Sequence, residues 1–273
     1  VTDSFEDFRD LFGAPRALVG MLHAGALPGT VHARDPLDAI IETAVAEART
    51  YRDAGFTALL LENMHDRPYL NGAVGPEIVA AMTAIAREVR CAVPLPLGVQ
   101  VLAAANREAL AVALASGASF VRVEGFAFAH VADEGSIEAC AGPLLRYRRA
   151  IGAAQVRVFA DIKKKHAAHA ITADVSLAET ARAAEFFSAD GVIVTGAATG
   201  DPCAPADVAA VRDGASLPVL VGSGITPANL AQYARAQGFI VGSSVKRAGR
   251  WSNPLDVDAT CAVARAFHAL DRP

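Results

Sequence analysis

Along the chain, short runs of β-branched and aliphatic residues alternate with longer Ala-rich segments whose apolar positions recur at helical spacing. The strand-like runs are 17–22, 57–62, 95–100, 119–124, 156–162, 191–195, 218–222 and 239–243. The helix-like segments include 38–54, 76–90, 105–116, 176–188 and 254–270. Proline at a first helical position is a start signal, and Asp35-Pro36, Gly75-Pro76, Thr226-Pro227 and Asn253-Pro254 predict four such starts. Strand and helix alternating eight times predicts an α/β fold, a single (β/α)8 barrel over 16–273 with a short helical extension at 1–15. An open doubly wound sheet is the rival, but no G-x-G-x-x-G follows the first run. In the extension, Phe5, Phe8 and Phe12 share one helical face. That face caps the barrel, meets a second copy in a homo-oligomer, or belongs to a frayed leader.

Within 156–162 the period of two assigns opposite jobs to the two faces. Val156, Val158, Ala160 and Ile162 face the helices; Arg157, Phe159, Asp161 and then Lys163 face the barrel axis. The same parity turns Arg122 and Glu124 inward on the fourth run, and Glu62 ends the inward face of the second. These charges fall at carboxyl ends of strands, where barrel enzymes place their chemistry. Lys164 has outward parity and reads as a solvated surface charge, while Lys165 and His166 open the next loop.

Several roles are open to these groups. Asp161 and Lys163, two residues apart, predict either a structural ion pair or a lysine base held by a carboxylate. Glu62 and Glu124 divide acid and base work, bind a divalent cation, or brace Arg122. His166 is an acid/base candidate or an incidental loop residue. His23, in "MLHAGALPG", has no second histidine at ligand spacing, so a metal is open but not called for, and no cofactor is indicated. Asn63 and Gln100 offer neutral hydrogen bonds at the rim, and Thr195 a hydroxyl. Tyr69 belongs to a long loop placed to act as a lid.

Two glycine-serine turns are the most specific feature. Gly222-Ser223-Gly224 follows the seventh run and Gly242-Ser243-Ser244 the eighth. Those two loops form the phosphate site of many barrels, where glycines let backbone N–H groups approach an anion. A phosphorylated small molecule is therefore the expected partner.

Composition narrows the classes further. Hydrophobic content of 53% against 20% charged assures a sizeable core, and a net charge of -4 argues against a nucleic-acid surface. The four scattered cysteines form no C-x-x-C pair, which points to a reducing compartment. The longest charge-free stretch, 214–234, is broken by Pro218, Gly222, Gly224 and Pro227, so no membrane insertion is expected. No basic leader with an apolar h-region precedes the barrel, and the expectation is a cytoplasmic protein.

Taken in order, "HAGALPG", "EN" with Asp66 three residues on, "DIKKKHA", "TGAATG", "GSGITPANL" and "GFIVGSSVK" with a later "NP" resemble the BtpA/SgcQ family. The resemblance implies a TIM barrel of the ribulose-phosphate-binding type. The family name comes from photosystem I biogenesis or stability in cyanobacteria, and other members sit among sugar-metabolism genes. It implies no settled reaction. Two classes of function follow: a phosphosugar- or nucleotide-type enzyme (isomerase, epimerase, lyase or glycosidic cleavage), with Lys163 as its central base, or a non-catalytic biogenesis factor.

Overall fold

A computed structural model describes residues 3–270. Eight parallel strands close into a barrel: β1 (Ala17–His23), β2 (Ala58–Glu62), β3 (Leu97–Gln100), β4 (Phe120–Val123), β7 (Arg157–Ile162), β9 (Gly191–Val194), β10 (Val219–Val221) and β11 (Gly238–Val241). Each falls within or beside its predicted run, and β1 pairs with both β2 and β11 to seal the cylinder. Nearly every strand residue is buried, as expected when helices cover one face and the barrel interior the other.

The parity argument holds along the strands. Val156, Val158, Ala160 and Ile162 join the outer core beneath the helices, while Phe159 joins Phe120, Leu60, Ile193 and Ile240 inside. The inner layers leave little slack. A Cβ on Gly98 would lie 2.1 Å from the Phe120 ring, so only glycine fits beside that ring.

Helix α1 (Ser4–Phe12) closes the amino-terminal end of the barrel. Its Phe8 and Phe12 are buried against Phe159 and Phe120 with ring centroids 5.6–6.2 Å apart. Phe5 instead lies beneath the Arg212 guanidinium, 4.7 Å from its ring. Phe8 and Phe12 thus cap the barrel.

The outer ring holds α2 (Leu37–Ala54), α3 (Pro76–Ala92), α4 (Asn106–Ser116), α5 (Ala141–Ala150), α6 (Leu177–Phe186), α7 (Pro205–Gly214) and α8 (Val257–Ala269). Pro76 does start its helix, but the other proline signals are displaced. Pro36 sits one residue before α2, and α8 waits for the Asp256 side chain, which accepts from Ala259 N. After β10 no α-helix forms at Thr226-Pro227; a 3-10 turn (Leu230–Tyr233) stands in its place. Asn229 fixes the turn: its Oδ1 accepts from Thr226 N and its Nδ2 donates to Gly224 O, both at 2.8 Å.

Over the carboxyl ends lies a small sheet absent from the sequence expectation. Strands β5 (His130–Ala132) and β6 (Gly135–Ile137) form a hairpin, and β5 also pairs with β8 (Ala167–Ala168). The hairpin turn is Asp133-Glu134, hung over the barrel mouth.

Candidate active site

The mouth encloses a cavity of about 550 Å³. At its floor β4 and β7 place Arg122 and Asp161 side by side. Arg122 Nε donates to Asp161 Oδ2 at 2.8 Å and Nη2 to Oδ1 at 3.0 Å, with both side chains out of solvent. Burial pulls the guanidinium's pKa down, but the charge and hydrogen bonds of Asp161, joined by the charges of Glu62 and Glu124, together more than offset this, and the net shift is upward. Asp161 therefore pairs with Arg122, not with Lys163 as two-residue spacing suggested.

Around that pair stand carboxyls that burial pushes the other way. Glu62 is raised above the ordinary carboxyl range by desolvation, partly offset by Arg122 and Lys165. Glu124 is raised by desolvation, partly offset by Lys164, whose Nζ lies 3.3 Å from Oε2. Glu124 Oε2 also accepts from Ala104 N at 3.0 Å. Glu124 thus sits in a polar network, with Lys164 rather than Arg122 as its direct ion-pair partner.

The lysine run is where backbone geometry overrides parity. β7 ends at Ile162, and Lys163 has φ +46°, which ends the pleat. Its Nζ turns aside to donate to Thr172 O at 2.9 Å, and it does not line the mouth. Lys164, expected to be solvated, is 7% exposed and bound to Glu124. Lys165, expected merely to open a loop, lines the mouth, and burial and the Arg122 charge lower its pKa. Its Nζ has no carboxylate within ion-pair distance among the described residues, although Glu62, Asp161 and Glu124 all pull its pKa upward from farther off. His166 stands exposed at the rim, with φ +54°. Its Nε2 accepts from Thr199 N at 3.2 Å and lies 2.9 Å from the Thr199 hydroxyl.

His23 closes the opposite wall. Its Nδ1 lies 3.1 Å from Trp251 O, a contact that requires the proton on Nδ1 and leaves the Nε2 lone pair 3.6 Å from Glu62 Oε2. Desolvation, reinforced by the Lys246 charge, pushes His23 down to about 3. Because the unfolded imidazole holds a proton up to about 6.5, the unfolded state binds more protons below that value. This group's contribution to stability is therefore present above about pH 6.5 and is lost as pH falls toward about 3. A nitrogen-15 NMR titration is expected to find His23 neutral and Nδ1-protonated from about pH 5 to about pH 8. A His23 imidazolium signal near pH 6 would contradict the desolvated geometry.

Both glycine-serine turns line the cavity. The hydroxyls of Ser223 and Ser244 are already committed: Ser223 Oγ donates to Asp201 O at 2.6 Å, and Ser244 Oγ donates to Ile225 O at 2.6 Å. They tie the loops together instead of facing a ligand. What the turns leave free, among the described residues, are the backbone N–H groups of Gly224, Ile225, Ser243 and Ser244. Gly224 permits this crowding, since its φ is +69° and a Cβ would lie 2.2 Å from the Pro202 backbone. Gly222 is equally confined, between Ile193 and Thr195.

A family model described as the BtpA family matches residues 14–269. The chain belongs to the BtpA family. A Caenorhabditis elegans protein described as mitochondrial is 47% identical over 269 residues, covering 96% of this chain and 97% of that protein. The Synechocystis protein named photosystem I biogenesis protein BtpA is 35% identical over 252 residues, with 92% and 87% covered. Among solved structures, (S)-3-O-geranylgeranylglyceryl phosphate synthase from Thermoplasma acidophilum, in complex with sn-glycerol-1-phosphate, superposes with a TM-score of 0.61. The two share 15% identity, and 97% and 98% of the chains are covered. Orotidine 5'-phosphate decarboxylase from Pyrococcus horikoshii gives 0.57 at 16% identity, with 92% and 99% covered. At such identities these two likenesses establish the TIM-barrel fold.

Not every expected contact of this BtpA-family chain reaches the cavity. Asn63 is buried behind it, accepting from Leu102 N and donating to Asp66 Oδ2, both at 2.8 Å. Thr195 Oγ1 accepts from Lys165 N at 3.2 Å, so it positions a lysine and does not line the mouth. Residues missed in the sequence complete the wall: Trp251, Arg67, Met21 and the hairpin pair Asp133 and Glu134. Arg67 lies over the Trp251 ring at 5.1 Å, and Tyr69 closes the same side. Among the described residues no group of three or more His, Cys, Asp or Glu is disposed to hold a metal, and no helix is long and apolar enough to cross a membrane.

Proposed function

We propose that this chain is an enzyme acting on a phosphorylated small molecule of phosphosugar or nucleotide type, bound at the barrel mouth. The observation that carries this reading is the opposition of two chemistries across one cavity. On one side the free N–H groups of two turns suit an anion; on the other, Lys165 is half-buried and Glu62 buried, with their pKa values moved toward each other. A phosphate held on the turns supplies binding energy remote from the reacting carbon. Lys165 then serves as the base and Glu62 as the acid of a proton transfer, with Arg122 stabilising developing negative charge. Isomerisation, epimerisation and lyase chemistry all use such a pair. Support comes from two fold relatives, one bound to sn-glycerol-1-phosphate and one named for orotidine 5'-phosphate.

The second reading is a non-catalytic biogenesis or stability factor, favoured by the name of the Synechocystis relative. Thermal unfolding with matched pairs of phosphorylated and unphosphorylated sugars and nucleosides separates the two. A ligand at about a hundred times its Kd stabilises by about 2.7 kcal/mol. The expected result is a concentration-dependent rise in Tm with at least one phosphorylated member and none with its unphosphorylated twin. Equal responses from both members of every pair would remove the anion site from the reading.

A further inference from the structure

The turns account for one end of the cavity; the other end has unpaired acceptors. Gln100, 2% exposed, points its Nε2 at Glu124 Oε1 across 3.3 Å, which fixes the amide orientation. Its Oε1 is then buried without a hydrogen-bond donor. Glu134 Oε2, on the hairpin turn, is buried without a donor as well. Both residues line the cavity. A buried acceptor without a donor is costly, and such groups in folded proteins usually mark a missing partner.

Glu134 is also held in place. Asn71, from the loop after β2, donates through Nδ2 to the carbonyls of Glu134 and Ser136 at 3.1 and 3.0 Å, on both sides of Gly135. Among the described residues Glu134 makes no ion pair, and Arg67 of the same wall lies over Trp251. The cavity itself, about 550 Å³, leaves room beyond a phosphate for a ligand body reaching this wall.

We infer that Gln100 Oε1 and Glu134 Oε2 form a donor-accepting subsite that selects a polyhydroxylated body, making the ligand a phosphorylated sugar rather than an apolar phosphate ester. This rests on the phosphate reading of the turns above. Hydroxyl groups of one sugar supply the O–H donors the two oxygens lack. Asn71 acts as a positioning residue, holding the hairpin without touching the ligand.

Calorimetric titration can test the two ends separately. Inorganic phosphate and propyl phosphate report on the turns alone, ribose at high concentration reports on the acceptor wall alone, and ribose 5-phosphate reports on both. In the wild type, ribose 5-phosphate is expected to bind at least about tenfold more tightly than propyl phosphate, the worth of one or two hydrogen bonds. Gln100→Leu and Glu134→Ala should each erase about tenfold of that preference and leave propyl phosphate unchanged. Glu134→Ala lies on a hairpin turn outside the barrel core, so it reports even if Gln100→Leu does not fold. Variants that keep the full preference, or lose propyl phosphate equally, overturn the subsite. If phosphate and propyl phosphate fail to bind the wild type, the anion reading has failed on its own. The subsite is then decided by ribose: binding that Glu134→Ala abolishes supports it, and no binding overturns it.

Discussion

Replacing Arg122 by methionine is expected to lower the unfolding free energy by about 3–5 kcal/mol, the usual cost of breaking a buried ion pair from one side. Asp161 has no solvent contact at its side chain, and both oxygens are engaged by this one guanidinium. Methionine fills much of the stem's volume but leaves a carboxylate with no other hydrogen-bond donor among the described residues. The same substitution removes the cation that eases Glu62 and Glu124, so all three carboxyls are affected together. The double variant Arg122→Met, Asp161→Leu should recover most of the loss, because replacing both partners by apolar groups avoids the stranded charge. Urea unfolding with an unchanged m-value is the measurement. A single variant within about 1 kcal/mol of wild type, or a double variant no better than the single, would sink the account of the barrel floor.

That floor was legible in the sequence up to a definite residue. Period-two alternation needs extended backbone, and β7 supplies it through Ile162, so Phe159 and Asp161 could be assigned inward with no more than the pleat. At Lys163 the φ of +46° breaks the period, and the inward positions pass to Lys164 and Lys165. Nothing in "DIKKKHA" marks which lysine takes the left-handed turn, since no glycine or asparagine is there to announce it. The glycine-serine turns were readable because glycine carries conformational information locally, as Gly224 shows with its φ of +69°. Their hydroxyls were not, because the acceptors at Asp201 and Ile225 belong to the wall's own backbone. Trp251 and Glu134 were invisible for a different reason. They reach the mouth from a loop and a three-residue hairpin strand pair, too short for any periodicity to register, and only the tertiary path brings them over it.

Lys165→Met is expected to abolish turnover while sparing the fold, and this separates the enzyme from the scaffold. In the folded chain burial and the Arg122 charge lower the ammonium's pKa, while the unfolded lysine titrates at its ordinary value near 10.5. The unfolded state therefore binds more protons in the window between the lowered value and about 10.5. The penalty of charging Lys165 is fully present below that window and is relieved as pH rises through it. Removing the amine should leave the protein at least as stable as wild type near neutrality, with the difference shrinking as pH rises toward that upper limit. Lys164→Met behaves oppositely, because it strands Glu124. On whichever phosphorylated compound raises Tm, Lys165→Met should bind it yet lose at least about a hundredfold in kcat, the low end for a positioned acid/base. Lys163→Met, whose amine donates to the Thr172 carbonyl away from the mouth, should stay within about twofold. The comparison has two ways to fail. Should Lys163→Met be the dead variant, the left-handed turn at that residue is not the geometry in solution. Should both variants turn over normally, or the wild type prove inert while still supporting assembly of a membrane complex, the half-buried Lys165 serves the architecture and the biogenesis reading prevails.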